Sequence, residues 1–120
     1  MLSPLRILVV DDNPDAVATM ETMLRLQGTQ TRIARDGVEA VEQAELFSPN
    51  VILLDIGMPR MNGFEAAKAI RSKPWGKMVK IIAITGWGQA ADKQRSVDAG
   101  IDHHLTKPVD QAKLFHLLSS

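Results

Sequence analysis

Three aspartates, a threonine and a lysine, each at or just beyond the end of a short apolar run, are the residues of this chain best equipped to do chemistry together. Asp11 and Asp12 follow the run that ends at Val10, and Asp55 closes Val51-Ile52-Leu53-Leu54. Thr85 follows Ile84, and Lys107 comes shortly after Leu105. Like charges at short range repel, and burial raises the cost of each, so converging carboxylates need a cation or must take up protons. The chain has no cysteine, and no histidine stands at the run ends that carry Asp11, Asp12 and Asp55. The ligands on offer are therefore hard oxygens, which suit magnesium or manganese better than zinc or copper. A carboxylate nucleophile, a divalent cation, a hydroxyl donor and an ammonium around one point are what phosphoryl transfer needs, because that chemistry is mainly positioning and charge neutralisation.

Each residue alone admits a plainer role. Asp12 or Asn13 can cap the helix begun at Pro14, since proline favours the first helical position. Asp55 can be satisfied by Lys107 or by a helix N-terminus, Thr85 by a backbone carbonyl, and Lys107 by solvent. The chemistry rests on the five acting as a set.

The elements that must position them follow from hydrophobic pattern. Residues 5–10, 51–54 and 79–84 are continuous apolar runs rich in β-branched side chains, the mark of strands buried on both faces. Weaker strands are expected at 31–34 and near 103–105, after Gly28 and Gly100, glycines placed where helix C-caps belong. Helical spacing appears at Val17, Met20 and Leu24, at Val38, Val41 and Ala44, at Phe64, Ala67 and Ile70, and at Leu114, Leu117 and Leu118. Five strands alternating with five helices must run parallel, and right-handed crossovers place helices on both faces, giving a doubly wound α/β domain. Ligands of such sheets sit beyond the carboxyl ends of the strands, where the winding reverses. If the reversal lies between the first and third strands, Asp11, Asp12 and Asp55 come together.

Length and charge bound the rest. With 120 residues and 45% apolar content, one domain spanning 1–120 is expected. Fourteen basic residues balance fourteen acidic ones, so no net field draws the chain to nucleic acid or to an anionic membrane. Neither a leader nor a segment able to span a bilayer is apparent, and the chain reads as soluble and cytoplasmic.

Asp11-Asp12, Asp55 followed by Met58-Pro59 and Asn62-Gly63, Thr85-Gly86, and Lys107-Pro108 together resemble the receiver domain of two-component response regulators, from about residue 5 to 118. The resemblance implies a flavodoxin-like five-stranded sheet of order 2-1-3-4-5. It also implies that Asp55 is the phosphoacceptor, attacking a phosphohistidine of a sensor histidine kinase or histidine phosphotransfer protein to form an acyl phosphate. Asp12, Asp55 and the backbone carbonyl of Gly57 correspond to the Mg²⁺ ligands, with Asp11 orienting metal-bound water; Mn²⁺ is an acceptable substitute. Lys107 would pair with a phosphoryl oxygen, and Thr85 would donate its hydroxyl to another and move inward. Pro108 matches a proline often preceded by a cis bond. Where many members carry Tyr or Phe as the residue that swings with the threonine, this chain has His104, which would open the switch to pH. Output would pass to a downstream protein through the fourth helix, fifth strand and fifth helix, roughly residues 89–118. Such a protein is a switch and not a turnover enzyme. The stretches 84–89 and 103–108 look like receivers fused to hybrid sensor kinases.

Other classes fit less well. A flavin or nucleotide binder on this fold would want glycines and backbone donors in the first turn, where Asp11-Asp12-Asn13-Pro14 places negative charge. An aspartyl-nucleophile phosphatase would carry its second acid two residues after the first, a spacing that adjacent Asp11 and Asp12 do not give. Trp87, two residues after Thr85, is a candidate cover for the site, whereas Trp75 and His116 read as surface residues.

Overall fold

The computed structural model describes residues 5–56, 63–85, 93–107 and 109–119, with the backbone alone for residues 93–95. The strands are β1 (Arg6–Val10), β2 (Gln30–Ala34), β3 (Val51–Asp55), β4 (Lys80–Thr85) and β5 (His103–Thr106). The helices between and after them are α1 (Pro14–Arg25), α2 (Gly37–Phe47), α3 (Gly63–Arg71), α4 (Lys93–Ala99) and α5 (Gln111–Ser119), with a 3-10 turn at Pro74–Gly76. All four strand pairings are parallel, and the order across the sheet is β2-β1-β3-β4-β5. The winding thus reverses between β1 and β3, as expected.

Period-two alternation along the strands divides the core into two layers. Leu8, Val10, Ile52, Leu54, Ile81 and Ala83 face α2 and α3, packing on Ala40, Ala44, Phe64, Ala67 and Ile70. Ile7, Val9, Leu53, Ile82, Ile84 and Leu105 face the other way, against Met20, Leu24, Leu114 and Leu118 of α1 and α5. Sheet residues that bury both faces cannot be polar, which is why the chemistry is confined to the strand ends.

Two local differences from the sequence reading have simple causes. Of the α2 stripe Val38, Val41 and Ala44, Ala44 is buried and Val41 packs against the core as expected, but Val38 is exposed, and Gly37 and Ala40 are buried in its place. Asp36 caps the helix by accepting from the Glu39 N–H at 2.8 Å, which fixes the phase and turns the smaller side chains toward the sheet. Strand β4 begins at Lys80 and ends with Thr85, one residue later than the apolar run suggested, because register with β3 sets its ends. Gly28 and Gly100 have φ of 84° and 82°, the left-handed conformation expected after helices. Trp75 is half-buried and packs against the core under α3. His116 is exposed, as expected.

A single guanidinium ties the far edge together. Arg71, at the end of α3, donates to the carbonyls of Gly76, Val79 and Gly100 at 2.9, 2.6 and 2.9 Å. It also pairs with Asp102 at 2.9 Å, and the same carboxylate oxygen accepts from the Ile81 N–H. The turn before β4 and the junction between α4 and β5 are thereby fixed to one side chain.

Candidate functional site

The site is assembled by register. β1 and β3 are neighbours with Val10 paired to Leu54, so Asp11 and Asp55 leave the sheet side by side. Asp55 is paired to Ile84 of β4, and Thr85 to Thr106 of β5. The Lys107 N–H then donates to the Thr85 carbonyl at 2.8 Å, which brings the lysine back over the same edge. Carboxylate oxygens of Asp11, Asp12 and Asp55 lie within 4.8 Å of one another. Asp11 and Asp55 are buried and Asp12 is exposed. Lys107 Nζ stands 3.3 Å from Asp11 Oδ2 and 3.7 Å from Asp55 Oδ2.

Asn13, and not Asp12, caps α1. Its Oδ1 accepts from the N–H groups of Asp15 and Ala16 at 3.0 and 3.3 Å. Its own N–H donates to Asp11 Oδ1 at 3.0 Å, which fixes that carboxylate from behind. Asp12 is left free of capping duty and points its charge to the cluster. The sequence alone left the cap open between Asp12 and Asn13; the structure resolves it in the way that serves the acidic set.

Thr85 is 4% exposed, yet among the described residues its hydroxyl reaches only the Leu105 carbonyl, at 3.5 Å. A contact that long contributes little, so the hydroxyl has little to lose by turning to a better acceptor. Gly63, the first residue of α3, sits against the backbone of Asp55 and Ile56. Its N–H donates to the Ile56 carbonyl at 3.0 Å, and a Cβ there would meet Ile56 Cα at 2.6 Å and the Asp55 carbonyl oxygen at 2.8 Å. Only glycine lets residue 63 approach Ile56 this closely, directly beside the Asp55 backbone.

His104 lies on the α4 side of β5 and is half-buried. Its Nε2 is 2.6 Å from the Ser96 hydroxyl of α4. Burial, and then the neighbouring His103, push its pKa below the ordinary 6.5. Titration near neutral pH, the expectation for an imidazole here, is therefore displaced toward acid. Gly57 and Pro108, expected as a metal ligand and a switch residue, lie outside the described residues, as does Trp87. The Ser96 contact was not anticipated, since a serine on a short helix carries no signal that it will meet a histidine eight residues on.

A parallel sheet of this order, with an acidic trio beside its reversal point and a lysine reaching back from the last strand, defines a class of signalling domain. The chain belongs to the response regulator receiver domain family, whose match covers residues 7–119, and it is a receiver of two-component phosphorelays. It is 34% identical to Protein PilH of Pseudomonas aeruginosa over 96% of this chain and 95% of that one. The crystallised receiver domain of the sensor histidine kinase PA1611 from Pseudomonas aeruginosa, with magnesium coordinated in its active-site cleft, is also similar. It superposes with a TM-score of 0.88 at 34% identity, covering 98% of this chain and 96% of that one. The receiver of Saccharomyces cerevisiae Ssk1, crystallised with the histidine phosphotransfer protein Ypd1, gives 0.87 at 28% identity, covering 97% and 87%. Several other curated relatives are much longer, and the chain spans 12% of a kinase and 24% of a response regulator among them. Among the described residues, no helix is long and apolar enough to cross a membrane.

Proposed function

We propose that Asp55 is the phosphoacceptor of this receiver, that Asp11, Asp12 and Asp55 with the Gly57 carbonyl hold Mg²⁺, and that residues 1–120 form one cytoplasmic receiver domain. The observation that carries this reading is the acidic trio within 4.8 Å, with Lys107 reaching both Asp11 and Asp55. The donor set suits the ion: carboxylates and a carbonyl are hard oxygens, and buried acids this close are stable together only beside positive charge. Mn²⁺ has the same preference for oxygen and would substitute. Bound there, the cation supplies charge neutralisation for the incoming phosphoryl oxygens.

The chain's own residues do the rest. An Asp55 carboxylate oxygen attacks the phosphorus of a phosphohistidine, an O–P bond forms, and the P–N bond breaks. The bond pair leaves with the donor imidazole, which ends neutral after taking a proton if it needs one. Lys107 meets one phosphoryl oxygen, as it meets the carboxylates now, and Thr85 exchanges its weak contact to the Leu105 carbonyl for a charge-assisted bond to another. The donor is the phosphohistidine of a sensor histidine kinase or histidine phosphotransfer protein, supported by the similarity to a kinase receiver and to the partner of a phosphotransfer protein. Output runs through α4, β5 and α5 to a protein partner, with Thr85, His104 and Pro108 as the moving parts. The domain is a switch whose only chemistry is its own phosphorylation and dephosphorylation.

The test is incubation with a phosphorylated histidine phosphotransfer protein, with and without Mg²⁺, followed by intact-mass measurement. One acid-labile phosphoryl adduct that needs both Mg²⁺ and Asp55 is expected. An adduct of equal yield on Asp55→Ala would show that the acceptor is elsewhere.

A further inference from the structure

Ser96 is one of the few polar side chains deep in the described structure, at 2% exposure, and its hydroxyl meets a ring nitrogen of His104 at 2.6 Å. The partners belong to different elements, the short helix α4 and the edge strand β5. His104 is paired to Ala83 and Thr106 to Thr85, so Ala83, Thr85 and His104 share one sheet face, the face under α4. Thr85 is a diagonal neighbour of His104 across the two strands, within reach of a ring. Ala83, directly across from His104 and the next residue before Thr85 on that face of β4, is a small side chain that leaves the ring room to travel along the strand.

That arrangement has a mechanical consequence. When Thr85 turns away from Leu105 toward an anion at Asp55, it vacates space beside the ring. The ring cannot simply follow, because it is bonded to Ser96. Either Ser96 moves with it and shifts α4, or the bond breaks and the hydroxyl of a residue at 2% exposure must find another partner, and bonding back to its own helix bends helices. Both routes change α4.

We propose that the Ser96–His104 hydrogen bond is the tether through which the state of the Asp55 site is passed to α4, with Ser96 a positioning residue for the output face. The proposal rests on the reading of Asp55 given above. It differs from a simple steric role for the aromatic position: a tether needs a polar atom on both partners, whereas a wedge needs only a ring.

The experiment uses the full chain with Mg²⁺ and beryllofluoride as the phosphoryl mimic, reading two things at once. Amide shifts at Ile56 and Lys107 report occupancy of the site, and hydrogen exchange of the α4 amides reports its response. In the wild-type protein both change. Ser96→Ala should keep its beryllofluoride midpoint within about twofold and lose about tenfold in the change of α4 exchange, as expected for the loss of one hydrogen bond's worth of coupling. His104→Gln, which keeps a polar atom near the position of Nε2, should retain most of the α4 response, and His104→Phe, which keeps the ring, should lose it. A full α4 response in Ser96→Ala, or a response kept by Phe and lost by Gln, overturns the tether while leaving the Asp55 reading intact. No site response in the wild-type protein overturns both.

Discussion

Replacing Asp55 with asparagine should stabilise the metal-free protein and weaken its response to magnesium, so that the order of stabilities reverses when the ion is added. The reason is electrostatic. Carboxylate oxygens of Asp11, Asp12 and Asp55 lie within 4.8 Å of one another, and at an effective dielectric constant of about 20 each such pair repels by about 3.5 kcal/mol. Against this, Lys107 at 3.7 Å attracts Asp55 by about 4.5 kcal/mol on the same scale. Asp55 thus has two repulsions and one attraction among these groups. Asp12 is exposed, so its share is the most screened, and the relief that these three charges give on neutralising Asp55 comes to about 1–2 kcal/mol. In a domain of this size that is a rise of about 4 °C in Tm for each kcal/mol. Magnesium at about a hundred times its Kd would stabilise the wild-type protein by about 2.7 kcal/mol, and the variant, lacking one charged ligand, by much less. Thermal and urea unfolding in chelator and at saturating Mg²⁺ measures both. An asparagine variant less stable than wild type in chelator, or one that gains as much from the ion, would refute the account of the trio as mutually repelling and metal-compensated.

Three further outcomes are expected. Arg71→Ala should cost about 3 kcal/mol by urea unfolding, because it strands the carbonyls of Gly76, Val79 and Gly100 and unpairs Asp102 at one stroke. Arg71→Lys should recover little of this, since an ammonium cannot reproduce the fork. Gly63→Ala should cost about 2 kcal/mol and slow phosphoryl transfer to Asp55, since the new Cβ would press on the Asp55 and Ile56 backbone; normal transfer kinetics would contradict it. His104 has a folded-state pKa below its unfolded 6.5, so its contribution to stability is full above about pH 6.5 and is lost as pH falls through the folded value. Urea midpoints at about pH 7.5 and 5.5 should therefore diverge more for wild type than for His104→Gln.

How much of this was legible beforehand follows from which physics is local. The runs 51–54 and 79–84 announce themselves because a strand buried on both faces has no choice but to be apolar throughout. The same uniformity hides the strand order, since β1, β3 and β4 look alike and nothing in their periodicity says which is central. That order came from resemblance of the Asp, Thr and Lys motifs, and it placed Asp11 beside Asp55 correctly. Contacts that join distant segments were invisible. Arg71 and Asp102 are 31 residues apart, and neither sits in a pattern that singles it out. Val38 misled because α2 has apolar residues on more than one face, and phase was settled by the Asp36 cap. Asn13 shows the opposite case, a residue whose two duties, capping α1 and holding Asp11, both follow from its place before Pro14 once the backbone is known.

The division of labour across the sheet explains why one covalent event can be read at a distance. The acids come from β1 and β3, which have a strand on each side and a fully buried core beneath them. Thr85 ends β4, the last strand paired on both sides, and His104 and Lys107 come from the edge beyond it, where β5 pairs with β4 alone and carries half-buried histidines and an exposed Thr106. A phosphoryl group brings between one and two negative charges to the firm half, and the groups free to answer lie on the softer one. Its leverage is bounded by what it offers in one state and not the other. In the role proposed for Thr85 that would be a charge-assisted bond in place of a 3.5 Å contact, a gain of about 1–2 kcal/mol, or about tenfold in the balance of states. A shift of that size moves a switch decisively only if the resting and active forms start close in energy. The unphosphorylated protein should then visit its active form often enough for relaxation-dispersion measurements on α4 and β5 to detect it. A flat dispersion profile there would mean that the balance is set by larger forces than the hydroxyl of Thr85.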